Sequence, residues 1–237
     1  MNKANIVIEE GASIAPSVKI GPFCYIGKDV IIEDNVTLHA HVTLEGRVHI
    51  KENSQIFSHV KMGNKESQVE IASNIHIREF VEIASEGSGK VSIGENTMVM
   101  AYCNIAVNVM IGKNVILTNN VLLSNDVVCE ENVIVGGLTM IAPSCRIGKG
   151  VMIGGASSVH DSIPPFSLVE GNPGRVRGLN LIGLRRKYQD PQVTLAVKDV
   201  YKRAYKNGID KKIAQIILQK NENEQSSYYA MFILENF

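Results

Sequence analysis

Basic side chains near residues 171–187 form the most chemically suggestive group in this 237-residue chain. Arg175 and Arg177 follow a Gly-Asn-Pro-Gly turn, and Arg185-Arg186-Lys187 follow after a short gap. Guanidinium groups bind phosphate oxygens through paired hydrogen bonds, so this segment predicts a site for a small phosphorylated ligand. The six histidines have no spacing with cysteine or with one another that is typical of a metal site, so no metal is expected.

Charge is unevenly distributed although 24 basic and 24 acidic residues cancel. Residues 171–220 contain 12 basic and three acidic residues, whereas residues 1–170 contain 12 basic and 18 acidic ones. The neutral total argues against a nucleic-acid binder, but the basic segment indicates a smaller anionic partner. No run of eighteen apolar residues occurs, so no membrane span is expected. Residues 1–5 lack a signal-peptide pattern, which makes a cytoplasmic location the expectation.

A six-residue repeat organises the first two thirds of the chain. An aliphatic residue returns at every sixth position, and a small or β-branched residue follows it four positions later. The phase breaks after Met62 and again over residues 86–92, where Gly and Ser indicate a loop that leaves the repeat. The aliphatic series comprises Ile14, Ile20, Ile26, Ile32, Leu38, Leu44, Ile50, Ile56 and Met62, then Ile71, Ile77 and Ile83, and then every sixth residue from Ile93 to Ile153.

A period of six fits neither a helix nor one strand, but three short strands joined by corners form a triangular coil of 18 residues. Residues 8–158 therefore predict about eight stacked coils that rise about 4.8 Å each. A β-sandwich is the alternative, and the long run of repeats in phase argues against it. The four cysteines fall on the buried columns and are expected to pack there without disulfides.

The pattern changes after Ile153 to turns and helices. Asp190-Pro191 predicts the N-cap and first residue of a helix that ends at Asn207-Gly208. Further helices are predicted over residues 210–220 and 224–236. The expected fold is an all-β parallel β-helix followed by a small α-helical domain, with domains at residues 1–178 and 179–237.

The repeat resembles that of the hexapeptide-repeat acyltransferases, which are left-handed β-helices and form homotrimers with active sites between adjacent prisms. The left hand is implied by this resemblance, because most parallel crossovers are right-handed. Three stretches are similar to the UDP-N-acetylglucosamine O-acyltransferases of lipid A synthesis. They are Ile20-Gly21-Pro22-Phe23-Cys24, Ile75-His76-Ile77-Arg78-Glu79 and the junction from Leu179 to Arg186.

The catalytic residues depart from the pattern of that family. Its motif Ala-His-Ile-Ala-His-Asp, in which the second His is the general base, stands here as Cys103-Asn104-Ile105-Ala106-Val107-Asn108. The family's Gly-His, one coil further, is Asn125-Asp126, and its later His-Gln is Ala142-Pro143. Its junction Glu is Ile182. The resemblance therefore implies the family's fold without its base.

An alcohol needs a base to attack a thioester at neutral pH, whereas a neutral amine already has a nucleophilic lone pair. We therefore interpret the chain as an N-acyltransferase that acts on a nucleotide-linked amino sugar without a histidine base. It resembles the enzyme of anthrose formation, which acylates dTDP-4-amino-4,6-dideoxyglucose. The backbone amide of Asn125 is the expected oxyanion donor, and Asp126 is expected to act as a weak base or to hold the amine.

Other polar residues are expected to contact the acceptor. Asn104 and Asn108 flank the vacant catalytic corner. Further substrate contacts are expected from His59, Glu79, Glu82, Arg185 and Arg186.

Acyl-CoA is the expected donor and co-substrate, with no tightly bound cofactor. Gly171-Asn172-Pro173 resembles a motif of the coenzyme A-using hexapeptide acetyltransferases, in which the last coils hold the coenzyme. Gly154 and Gly155 would let a ligand approach the backbone closely. Arg175 and Arg177 are expected to bind the phosphates of the coenzyme. An acyl carrier protein is the rival donor, because such a protein is acidic and the segment 171–220 is basic.

Two alternative functions stay open. The chain is either a UDP-N-acetylglucosamine O-acyltransferase that uses acyl carrier protein, or a catalytically dead scaffold homologue. A scaffold would bind neither donor nor nucleotide sugar.

Overall fold

The hexapeptide repeats form a triangular prism with three parallel sheets, which we call faces A, B and C. The structure is a computed structural model that describes residues 5–237, so residues 1–4, on which the signal-peptide prediction partly rests, lie outside it. Each coil gives one strand to each face and pairs with the coils before and after it. The fold is a left-handed parallel β-helix, as predicted.

Face A has nine strands, face B has eight, and face C has ten. Face A comprises Val7–Ile8, Tyr25–Ile26, Thr43–Leu44, Lys61–Met62, Glu82–Ile83, Asn104–Ile105, Leu122–Leu123, Met140–Ile141 and Ser158–Val159. Face B comprises Ser13–Ile14, Ile31–Ile32, Arg47–Ile50, Ser67–Ile71, Gly89–Ile93, Met110–Ile111, Val128–Cys129 and Arg146–Ile147. Face C comprises Lys19–Ile20, Thr37–Leu38, Gln55–Ile56, His76–Ile77, Met98–Val99, Ile116–Leu117, Ile134–Val135, Met152–Ile153, Ser167–Glu170 and Arg175–Leu179, the last of which is antiparallel.

The second residue of each short strand points to the prism axis and the first points outward. Ile105, Leu117 and Leu123 are at most 1% exposed, whereas Leu122 is 38% exposed. This alternation produces the six-residue period, because two strand residues and a four-residue corner return the chain to the axis. The four cysteines are buried and free, as expected.

The corners need left-handed backbone conformations. We name each corner by the faces it joins, in chain order: AB, BC and CA. Asparagine recurs with positive φ at corner BC, as at Asn114 and Asn132, because its short polar side chain tolerates that conformation.

The second phase break is not a loop throughout. We expected residues 86–92 to leave the prism, but Gly89–Ile93 is a strand of face B that pairs with Ser67–Ile71. Both segments are five residues long, so the residues that break the six-residue phase lengthen two neighbouring strands together.

Four α-helices follow the prism. They are α1 (Leu181–Lys187), α2 (Pro191–Val200), α3 (Lys211–Lys220) and α4 (Glu224–Asn236), and a π-helical turn, Tyr201–Tyr205, follows α2. Asp190 caps α2 as predicted, since its carboxylate accepts a hydrogen bond from the backbone N–H of Gln192. Among residues 5–237, none of these helices combines the length and apolar character that a membrane span requires.

Helix α4 is fastened to face B by a polar network. Glu130 accepts hydrogen bonds from Arg146 and Tyr228, and Arg146 also pairs with Glu235. The ammonium group of Lys149 lies 3.7 Å from the centre of the Tyr228 ring. Because these partners are nearly 100 residues apart in sequence, the network fixes the helical segment against the prism.

The axial column should dominate the stability of the prism. We expect Leu123→Ala to lower the free energy of unfolding by about 2–5 kcal/mol, because it leaves a cavity in a fully packed core. Leu122→Ala, one residue away on the outer surface, is the matched control and should cost much less. Urea denaturation of both variants checks this, and equal losses would contradict the assignment of the axial column.

Candidate active site

Corner AB carries Val107 where the related family has its base. Val107 is 8% exposed and packs over Gly87 and Gly89 of the preceding coil. Asn108 has φ +61° and accepts a hydrogen bond from the backbone N–H of Lys90 over 3.2 Å. A side chain at Gly89 would collide with Asn108, which explains the glycine there. Asn108 is thus engaged with the preceding coil, and its predicted contact with the acceptor remains a prediction.

The other predicted catalytic residues share this part of the prism. Asn104 points outward from face A between Glu82 and Leu122, its neighbours in the two adjacent coils. Asn125 and Asp126 occupy corner AB one coil beyond Val107, and both are exposed. The backbone N–H of Asp126 donates to the Val107 carbonyl, whereas that of Asn125 has no acceptor among residues 5–237. The free amide suits the predicted oxyanion donor.

His59 and Glu79 lie at corner CA, away from this group. His59 stacks between His41 and Phe80, with ring centroids 4.7 Å apart on both sides. Glu79 pairs with Arg78 over 2.9 Å, and this hydrogen bond lowers the pKa of the Glu79 carboxyl. Within one chain, neither residue joins the corner AB cluster.

Helix α1 forms a second polar site at corner BC. Asn180 caps the helix by accepting the N–H of Gly183, and its amide also donates to the Gly150 carbonyl. A Cβ at residue 183 would lie 2.5 Å from the Asn180 amide nitrogen, so glycine is needed there. The cap therefore fixes the angle at which α1 leaves the prism.

A cavity of about 300 Å³ lies between α1 and the prism. Lys187 at its edge pairs with Glu131 over 2.7 Å, and this bond lowers the pKa of the Glu131 carboxyl. Arg186 has no ion-pair partner among residues 5–237 and is free to bind an anion. Sequence reasoning found Arg186 but missed the asparagines, whose signal was their return every 18 residues. The lining comprises Asn114, Ile116, Asn132, Ile134, Gly150, Phe166, Asn180, Gly183, Arg186 and Lys187.

The predicted donor-binding residues lie at the end of the prism. Gly154 and Gly155 form part of corner CA, and the Gly171–Gly174 turn closes the last coil against Ser158. Arg175 and Arg177 are exposed on the antiparallel last strand of face C. Arg185 is exposed on α1 and does not line the cavity. The predicted site residues are thus divided between corner AB, corner BC and the prism end.

Comparison with known proteins places this arrangement in a class. A family model described as "Udp N-acetylglucosamine O-acyltransferase; Domain 2" matches residues 162–236, and the bacterial transferase hexapeptide model matches residues 5–40. The chain is an acyltransferase of the left-handed β-helix class.

Individual relatives narrow the class. An acyl-[acyl-carrier-protein]--UDP-N-acetylglucosamine O-acyltransferase of Campylobacter jejuni subsp. doylei is 45% identical, over 97% of this chain and 92% of that protein. One of Aliarcobacter butzleri is 39% identical, over 96% and 93%. A solved UDP-N-acetylglucosamine acyltransferase from Campylobacter jejuni superimposes with a TM-score of 0.92 at 35% identity, covering 99% and 96%. The chain belongs to the UDP-N-acetylglucosamine O-acyltransferase family.

These relatives correct the interpretation drawn from the missing histidines. N-acylation of a dTDP-linked amino sugar is wrong, because the nearly full-length relatives are named for O-acylation of UDP-N-acetylglucosamine. Acyl-CoA as donor is wrong for the same reason, since those names specify an acyl carrier protein. The resemblance to the anthrose enzyme extended only to the shared fold.

Proposed function

We propose that the chain transfers an acyl group from an acyl carrier protein to a hydroxyl group of UDP-N-acetylglucosamine. The observation that carries this proposal is 45% identity to a protein named for that reaction, over 97% of the chain. The cavity beside Arg186 supports it, because a free guanidinium suits the diphosphate of a nucleotide sugar. The basic segment 171–220 suits the acidic surface of a carrier protein.

The active site requires two copies of the chain. The Asn125-Asp126 pair lies at corner AB and the Arg186 cavity at corner BC, so face B separates them within one prism. An adjacent prism can bring its own corner BC against corner AB of the first. We therefore include a homotrimer with intersubunit clefts in the proposal, and a cytoplasmic location also stays a prediction.

Asp126 is the proposed proton acceptor in place of a histidine. Its exposed carboxylate lies at corner AB, one coil beyond Val107, where it can reach a sugar hydroxyl in the cleft. The hydroxyl oxygen attacks the thioester carbonyl, the proton passes to Asp126, and the thiolate leaves. The Asn125 N–H stabilises the developing oxyanion, and Asn104 and Glu82 contact the sugar.

The direct test uses carrier proteins loaded with saturated and 3-hydroxyacyl chains of several lengths, together with UDP-N-acetylglucosamine. We expect mass spectrometry to detect an acylated nucleotide sugar that is absent when either substrate is omitted. A scaffold would form no product and bind neither substrate by calorimetry. That result would reject the proposed activity.

A further inference from the structure

Ser158 and His160 form a hydrogen-bonded pair at the end of face A. The Ser158 hydroxyl oxygen lies 2.8 Å from Nε2 of His160. His160 is fully exposed and Ser158 partly exposed, so a substrate can reach both. His160 is the only histidine at corner AB among residues 5–237, three coils beyond Val107. A serine bonded to an imidazole is the pairing that activates an oxygen nucleophile.

The end of the sheet supplies a hydrogen-bond donor that the preceding coils lack. The residues that correspond to His160, namely Ala106, Ser124 and Ala142, each donate their N–H to a carbonyl of the next coil. Face A has no strand after Ser158–Val159, and the His160 N–H has no acceptor among residues 5–237. A free N–H beside the nucleophile can stabilise an oxyanion.

Apolar residues lead along face A to this pair. Leu122, Met140 and Ser158 occupy equivalent outward positions in three successive coils. Leu122 is 38% exposed, and Leu138 at the adjoining corner is 70% exposed. An alkyl chain laid over these side chains would place its carbonyl end at Ser158. The track therefore indicates that the substrate has an acyl chain.

The flanking charges fit a phosphorylated thioester arm. Asp161 follows His160, and its carboxylate lies 4.0 Å from the guanidinium of Arg175. The Gly171–Gly174 turn holds Ser158 from the other side, since the Ser158 N–H donates to Gly171 and its carbonyl accepts from Gly174. Ser158 is thus fixed in place while Arg175 remains exposed to an anion.

We propose that Ser158 and His160 form a second catalytic centre that takes acyl groups from thioesters and hydrolyses them. The Ser158 oxygen bonds to the thioester carbonyl carbon, His160 accepts the hydroxyl proton and passes it to the departing thiolate, and the C–S bond breaks. Water then attacks the acyl-serine with His160 as base, which releases a carboxylic acid and restores Ser158. The reaction needs no sugar, so it does not depend on the proposed transfer to UDP-N-acetylglucosamine.

The test uses the full chain with the decanoyl thioester of N-acetylcysteamine and no acceptor. We expect steady release of thiol, and intact-mass analysis should detect a decanoyl adduct that maps to Ser158. Ser158→Ala and His160→Gln should each slow thiol release by about 10²-fold or more. Ser158→Cys keeps a nucleophile and should still form the adduct.

Ser124→Ala is the matched control, because Ser124 lies on the same side of the prism without a histidine partner. It should release thiol at the unmodified rate, and melting temperatures of all variants verify folding. The proposal is overturned if the unmodified chain releases no thiol, if Ser158→Ala retains the rate, or if the adduct maps elsewhere. Failure of sugar acylation leaves these readouts unaffected, because no sugar is present.

Discussion

Val107→His should raise kcat/KM for the acylation of UDP-N-acetylglucosamine by about 10²–10⁴-fold, the usual contribution of a positioned general base. Val107 stands at corner AB over Gly87 and Gly89, which present no side chains against a larger ring. The neighbouring Asn125 N–H is already free to stabilise the oxyanion. Only the proton acceptor would be added, so the gain should fall mainly on kcat.

The pH profile should show whether the new imidazole acts as a base. Histidine accepts a proton only in its neutral form, so the added rate should rise with pH through about 6.5, the ordinary pKa of histidine. Val107→Gln is the matched control, because it adds a polar side chain of similar size that does not titrate in this range. An equal gain for both variants, or no gain for either, would contradict this role for position 107.

The prism could be predicted because its cause is local and repeats. A residue that faces the axis in one coil has counterparts 18 residues before and after it, so Ile105, Leu123 and Ile141 report one another's burial. The same arithmetic places Val107 beside Asn125 at corner AB. In elements with a fixed period, sequence spacing alone therefore locates side chains relative to one another.

The Arg186 cavity could not be predicted in this way. It depends on how α1 docks at corner BC, which is decided by the hydrogen bonds of Asn180 with Gly183 and Gly150. Asn180 and Gly150 are separated by 30 residues and by a change of fold type. The loop expected over residues 86–92 failed similarly, since strand pairing with Ser67–Ile71 overrides a composition rich in Gly and Ser.

The functional interpretation failed because too much was inferred from one lost residue. Replacement of a base by Val107 alters the barrier of a single proton transfer, whereas recognition of donor and acceptor is distributed over the whole cleft. Nearly full-length identity to carrier-protein-dependent enzymes therefore outweighs the missing histidine. The absent base instead raises the question of which group replaces it.

Asp126→Asn should lower kcat for sugar acylation by about 10²-fold or more while leaving KM nearly unchanged. The substitution removes the carboxylate and keeps the size of the side chain, and asparagine tolerates the φ of +61° at this corner. The N–H that donates to Val107 is also retained, so the fold should be unaffected. Asp29→Asn, at corner AB near the other end of the prism, is the matched control.

The double variant Val107→His/Asp126→Asn separates a base from a substrate ligand. If Asp126 accepts the proton, an imidazole at residue 107 replaces it, and the double variant should be about as fast as Val107→His alone. If Asp126 only orients the sugar, its loss should slow both backgrounds by the same factor, because independent effects add in free energy. Steady-state kinetics of the four proteins decides between these outcomes, and equal factors would transfer the role of base to another group.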